Sequence, residues 1–457
     1  MMGGGNRMIE SFSQCLQAWM RDTSRSIASV AADAHLKSKT TVARILKDQS
    51  TYQSYEKLYK ALSSNTEIDE KWKSRFEHVL RAEKVGLGQY AMFETIRQKL
   101  LEPKACIRPV HPAEPITILI VGCPWQKTYE FIEKCLAQNQ TVIYHYLTLN
   151  ELLDNPPVLA GLMACLKDDR YQAFVVPNER LLATRISWNI MFQKKQNTGE
   201  ERITISSGDD LSWQWLQSSG NVFREYQSML TGLEPQSLYH NSDLKKGSDY
   251  IRMMKESWQM ENMHNKVLLK PTPAIQMLPA EISIGSFTGF LDNNIVPVAP
   301  SADTIAYYFR NRAENFYNCE TTMVISRQAT EDFVHSGRLA DHFFACRSFT
   351  REERIICLKY LLECMEKPQT RILFTKEEQL CETFSFEAFS KFGTLIYPSR
   401  TSYNAERDAY RELILPGDRF ASLFTQFVDE MMIPEICYTE AESKRMMKEL
   451  ITMAKSE

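Results

Sequence analysis

The sequence predicts a multidomain chain, with an N-terminal all-α helix-turn-helix bundle followed by a large α/β C-terminal region. Three observations carry this reading. Apolar residues recur at helical spacing through the first hundred positions. Pro103, Pro109, Pro112 and Pro115 then interrupt the chain, which stiffens it and excludes regular structure. Beyond them, short β-branched runs alternate with helical patterns, as in α/β folds. At 457 residues the chain exceeds one ordinary core, since domains run to roughly 100–200 residues.

The N-terminal helices follow from spacing and caps. Ile9, Phe12, Leu16 and Trp19 place a first amphipathic helix over Met8–Met20. Thr23, Ser24 and Ser26 offer N-caps to a second, Ser26–Ala34, with Ile27, Val30, Ala31 and Ala34 on one face. His35, Leu36 and Lys37 break the pattern. Ser38 then caps a third helix, Lys39–Lys47, with Val42, Ile45 and Leu46 inward. A fourth runs through Tyr55, Leu58, Tyr59 and Leu62.

The second and third helices hold the functional signal. Ala31 sits where two steeply crossing helices must approach closely, so a small side chain is needed. Leu36 plugs the seam between them. Outward on the third helix lie Lys39, Thr40, Ala43, Arg44 and Lys47, flanked by Ser38 and Thr41. Hydroxyls, one small residue and long cations suit a helix that enters a major groove. Arg25 and Lys37 are candidate phosphate contacts. Charge agrees: residues 1–62 hold nine Lys and Arg against five Asp and Glu, on a chain whose net charge is −3, so a basic head precedes an acidic body.

On Val30-Ala31, Leu36, the run Ser38 to Ile45 and the trailing helix Tyr55–Leu62, the stretch resembles the Cro/repressor-type helix-turn-helix regulators, the xenobiotic-response-element family. That resemblance covers about 55 residues. It implies a five-helix bundle, binding to double-stranded operator DNA as a homodimer, and a repressor or activator role. His35 stands in the turn where the family usually carries Gly, which asks it to adopt a left-handed backbone. A plain helical bundle that docks another protein is the rival reading.

The head is assigned to residues 1–64 and a helical connector to 65–101. Ile68, Trp72, Phe76 and Leu80 make Asn65–Lys84 helical, and Gln89–Leu101 resumes after Gly86 and Gly88. These helices either complete the bundle or pair with a second subunit; the half-site logic of DNA readers favours pairing. Residues 102–115 form the proline-rich linker.

Residues 116–457 form the α/β region, divided as two related halves at 116–300 and 301–457. Ile116–Gly122 is a strand covered on both faces, followed by helix Thr128–Leu136 and strand Thr141–Leu147. A helix near Val158–Leu166 and a strand at Ala173–Val176 extend the unit. Residues 180–300 resist assignment. Alternation returns with strand Thr321–Ser326, helix Ala329–His335, a Thr350/Glu353 capping box opening Arg351–Met365, and strands Arg371–Thr375, Thr394–Tyr397 and Glu412–Leu415. Asp418 is expected to cap a helix with Phe420, Phe424, Phe427 and Met431 inside, and Thr439 with Glu442 the last one.

No catalytic motif survives inspection. The Gly122 to Thr128 loop follows a strand but lacks the glycines of a phosphate loop, and Pro124 removes an amide. His264 and Lys266 begin a phosphodiesterase-like pattern that Pro271 ends. Cys123 with His145 is a chance pairing among eleven Cys and eight His; a buried structural cysteine is the better reading. Gly285 to Gly289 is a turn, not a dinucleotide fingerprint. The cysteines form no CxxC or Cys/His quartet, which points to reduced thiols in a cytoplasmic protein without structural zinc. No apolar run reaches the ~20 residues of a membrane span, and Met1–Arg7 lacks a signal-peptide core. The expectation is therefore a transcriptional regulator, not an enzyme, with no cofactor. Its body senses a small-molecule or protein effector or mediates oligomerisation. The rivals are an unrecognised enzyme in the α/β body carrying an accessory DNA-binding domain, and a protein-interaction module.

Overall fold

The computed structural model describes residues 10–36, 38–101, 115–138, 141–178, 180, 189–205, 214–218, 222–243, 265–270, 273–274, 277–290, 302–339, 344–376, 384–398 and 409–456. The chain divides into two compact units between Glu94 and Thr95. The proline-rich linker falls almost wholly outside the described residues, as do the leader, Lys37 and His264.

The first unit is all-α: α1 (Phe12–Asp22), α2 (Ile27–Asp33), α3 (Lys39–Ile45), α4 (Tyr52–Ser63), α5 (Glu70–Val85) and the start of α6 (Leu87–Leu101). Helix α1 begins later than its apolar spacing suggests, because Ser11 and Gln14 form a reciprocal capping box there. Ser26, Ser38 and Asp69 cap α2, α3 and α5. The core is aromatic. Phe12 stacks on Tyr55 at 5.1 Å and Trp19 meets Phe76 edge-on at 5.6 Å. Phe76, Val79 and Leu80 of α5 lie in this same core with Val30, Val42 and Ile45. The apolar stripe of α5 thus closes the bundle, and the compact unit runs past residue 64 to Glu94. Without α5, Phe12 and Trp19 would face water.

The second unit contains two lobes. In the first, β1 (Ile116–Val121), α7 (Gln126–Gln138), β2 (Thr141–Thr148), α8 (Leu149–Asp154), α9 (Pro156–Ala164) and β3 (Tyr171–Val176) precede β4 (Ile190–Lys195), β5 (Glu201–Ile205), β6 (Gln214–Ser218), α10 (Val222–Thr231) and β7 (Gln236–Ser237). The sheet order is β6-β5-β4-β1-β2-β3-β7. Strands β1, β2 and β3 are parallel, while β4, β5, β6 and β7 are antiparallel to their neighbours.

Strand β8 (Tyr239–Asp243) leads into the second lobe. That lobe contains β9 (Lys266–Lys270), α11 (Ala280–Ser286), β10 (Phe287–Phe290), α12 (Ala302–Asn318), β11 (Thr321–Ser326), α13 (Arg327–Ser336), β12 (Phe344–Cys346), α14 (Arg351–Met365) and β13 (Thr370–Thr375). After these come β14 (Phe384–Phe389), β15 (Gly393–Pro398), β16 (Ala409–Pro416), α15 (Asp418–Phe427), a π-helical stretch Val428–Ile436 and α16 (Glu440–Ser456). Its main sheet is ordered β13-β11-β9-β14-β15-β16-β8.

The two lobes share one plan. In each, three parallel strands step outward from the first, and a three-strand antiparallel meander continues on the other side of that first strand. In each, the chain leaves the sixth strand, forms a helix and returns antiparallel to the third strand. In the first lobe this return is β7 on β3, and in the second it is the Thr375–Cys437 bridge. The expected division at residue 301 is corrected, because the second lobe opens with β9 at Lys266. That strand, KVLLK, is short and bounded by lysines, so its sequence reads as surface although all five residues are buried.

Two smaller expectations also change. Gly417, with φ 91°, is the N-cap of α15. Asp418 is the next residue, and its carboxylate accepts the Lys391 N–H at 3.0 Å. Gly285 to Gly289 is the junction of α11 with β10, not a free turn. The lobes are stitched by consecutive strands, β7 on the first sheet and β8 on the second. Buried Arg411 of β16 donates to the carbonyls of Asp168 and Tyr171, and its guanidinium lies 3.9 Å from the Tyr239 ring centroid. Among the described residues no helix is long and apolar enough to cross a membrane.

Candidate nucleic-acid interface

Helix α3 is built to expose one polar face. Ser38 Oγ accepts the Thr40 N–H at 3.1 Å and donates to Thr40 Oγ1 at 2.8 Å, which fixes the helix start. Val42 and Ile45 are fully buried, so Lys39, Thr40, Arg44 and Lys47 are turned to solvent and Thr41 and Ala43 form half-buried flanks. At its far end, Gln17 Nε2 and Ser13 Oγ of α1 donate to the Leu46 carbonyl at 3.0 and 3.2 Å. Sequence reasoning missed this second support, because a Ser and a Gln on an amphipathic helix carry no signal of what they will meet.

The turn before α3 takes the form the sequence asked of it. His35 has φ 49°, in the left-handed region, which non-glycine residues seldom enter. Its N–H donates to the Ala32 carbonyl, and the Leu36 N–H donates to that of Ala31 at 2.8 Å. Ala31 is 5% exposed, and Leu36 packs against the bundle core. Helices α2 and α3 pack directly on each other.

The α3 face combines exposed cations with the absence of any acid on the helix. On α4 and α5 several cations are matched, Lys60 with Glu56 at 2.8 Å, Lys73 with Glu70 at 2.7 Å, and Arg81 with Glu77 at 2.6 Å, while Lys57 and Lys71 form no ion pair among the described residues. Arg75 holds Glu10 through two bonds of 2.9 and 2.8 Å. Helix α3 contains no acid, and among the described residues Lys39, Arg44 and Lys47 form no ion pair. Arg25 differs from them. It pairs with Asp33 and lies 5.0 Å from the Trp19 ring centroid, so it braces α2 against α1. Lys37 lies outside the described residues.

The body contributes no competing chemistry where candidates were named. Burial, with Glu151 nearby, pushes the Cys123 thiol up to about 12, so it stays protonated. Its backbone N–H already donates to Asn189 Oδ1 at 3.0 Å, in a turn where Gly122 and Cys123 both have positive φ. His145 spends both ring nitrogens elsewhere, Nε2 at 2.7 Å from the Gly122 carbonyl and Nδ1 at 2.9 Å from the Tyr171 hydroxyl. Burial lowers its pKa to about 4. Neither group is poised as a nucleophile or base. Among the described residues no cluster of His, Cys, Asp and Glu is placed to hold a metal. No protein-family model, curated protein or solved structure matches the chain.

Proposed function

We propose that the chain is a cytoplasmic, homodimeric transcriptional regulator that binds duplex DNA through the exposed face of α3. The observation that carries this reading is a cationic face, Lys39 and Arg44 with Thr40 on an acid-free second helix of a tightly turned helix pair and Lys47 in the turn just beyond its end. Unpaired long cations attract phosphates, and the short side chains between them let a helix approach base edges. A two-fold dimer would present two such helices to successive half-sites. The α/β body is assigned to effector sensing or assembly.

Fluorescence anisotropy on a random-site duplex library, over a salt series, tests the reading. The full chain is expected to bind with a steep salt dependence. A Lys39→Ala/Arg44→Ala double variant is expected to bind weakly, with its log–log salt slope reduced by about two. Equal binding by both proteins, or no binding by either, overturns the proposal.

A further inference from the structure

A groove opens in the second lobe where the parallel strands begin. It is a cavity of ≈ 350 Å³ between helix α15 and the first residues of β9, β11 and β13. Its floor is a row of ladder partners on one face of the sheet, Val267, Thr322 and Arg371. Lys266 also borders the cavity, but successive strand residues point to opposite faces. Lys266 pairs with Thr321 rather than Thr322, so its side chain leaves from the other face, where it acts on Glu387. Asp418, Ser422 and Thr425 form the helical wall, at i, i+4 and i+7, one side of a helix. Asp429, from the π-helical stretch that follows, extends that wall over Arg371.

The lining calls for a polar ligand. Most ligand pockets are walled by large apolar and aromatic side chains; among the described residues this one has only Val267, Ala421 and Pro368 on its apolar side. Its carboxylates are unequal. Asp429 is matched by Arg371 at 3.5 Å, and Arg371 also holds Glu440 at 3.0 Å. Glu320 and Asp418 are exposed and, among the described residues, meet no cation. Glu320 Oε2 accepts the Asn265 side-chain amide at 2.6 Å, and Asp418 Oδ1 accepts the Lys391 N–H at 3.0 Å.

Spacing narrows the class. Asp418 stands beside the turn that follows β14, and Glu320 precedes β11. In the sheet, β9 lies between those two strands, which puts the two acids about two strand spacings apart, roughly 10 Å. A single small cation cannot meet both. Between them, Thr322, Ser390 and Ser422 border the cavity with hydroxyls.

We propose that this groove binds a linear di- or polyamine, with one ammonium at Asp418, another at Glu320, and the methylene chain laid over Val267 and Ala421. Each ammonium then forms a charge-assisted hydrogen bond to a carboxylate, and the hydroxyls accept from any amine between. The amine is the effector class that the body senses. That regulatory role rests on the reading of α3 as a DNA-binding helix, whereas binding in the groove needs no DNA.

The test is isothermal titration calorimetry of the full-length protein without DNA, at constant ionic strength, with spermidine, n-butylamine and magnesium chloride. The native protein is expected to bind spermidine saturably, and n-butylamine more weakly because it reaches one acid only. Magnesium is not expected to displace spermidine. Ser422→Arg sets a long cation in the groove from an exposed helix position and should abolish binding. Glu320→Gln, at an exposed strand start, should weaken it about fivefold and serves if Ser422→Arg does not fold. No saturable spermidine binding, equal binding of n-butylamine, displacement by magnesium, or undiminished binding in these variants overturns the proposal. Spermidine binding by a protein that binds no duplex DNA would uphold the groove and sink the reading of α3 instead.

Discussion

The first and second lobes of the body reach one strand order from unlike sequences, and the difference shows which residues the plan requires. Both need a buried strand one, ITILIV in one case and KVLLK in the other. Both end strand two with a hydroxyl that caps the next helix, Thr148 for α8 and Ser326 for α13. Interior polarity is where they part. The first lobe inserts His145 into strand two, where the second has Ile325, and both are fully buried. The second inserts Lys270 and Glu387 where the first has Ile120 and Gln193. Each lobe thus serves as the other's control: what both keep is required by topology, and what only one keeps is polarity the topology does not demand.

The largest predicted effect follows from breaking the buried pair on one side only. Lys270→Ala removes the closest cation from buried Glu387, leaving Arg312 at 3.7 Å, and should cost about 3–5 kcal/mol in urea unfolding. The balanced Lys270→Ile/Glu387→Gln variant should cost far less. A single variant as stable as the native chain would mean that the pair is effectively solvated, and the contrast between lobes would lose its force.

The second effect belongs to the first lobe. The folded pKa of His145 is about 4, against about 6.5 in an unfolded chain. Between those values the unfolded state binds more protons. Stability is therefore fully present above pH 6.5 and is lost as pH falls through 6.5 toward 4, by on the order of 3 kcal/mol. His145→Ile, which copies the second lobe, should flatten that window in a series of denaturant melts. An unchanged slope would place the acid sensitivity elsewhere.

The smallest effect should be equal in both lobes. Thr148→Ala and Ser326→Ala each remove an N-cap, at 3.3 and 3.2 Å from the amide served, and each should cost about 1 kcal/mol. Markedly unequal losses would show that the two strand–helix corners are not equivalent.

Local signals were legible where a residue answers to its own neighbours. The boxes at Thr350 with Glu353 and Thr439 with Glu442 stand as the sequence implies, since both partners lie three residues apart. The exposed face of α3 follows from periodicity in the same way, whereas the left-handed turn at His35 follows only from the family resemblance. Strand β14, FSFEAF, escaped notice because burial on both faces removes the alternation that marks a strand. The role of α5 stayed open because an apolar stripe records that it must be covered, not by what. Among the candidate contacts, sequence named Arg25, but only the fold shows it committed to Asp33 and Trp19.

By itself the sequence determined the all-α head, the α/β character of the body, the caps and the cationic face of α3. Each depends on interactions within a turn or two of chain. Tertiary structure decided that α5 seals the bundle, that the body repeats one plan from Lys266, and that Lys270, Arg312 and Glu387 converge. Those facts depend on pairings between residues tens to hundreds of positions apart, which burial and register choose and no local pattern records.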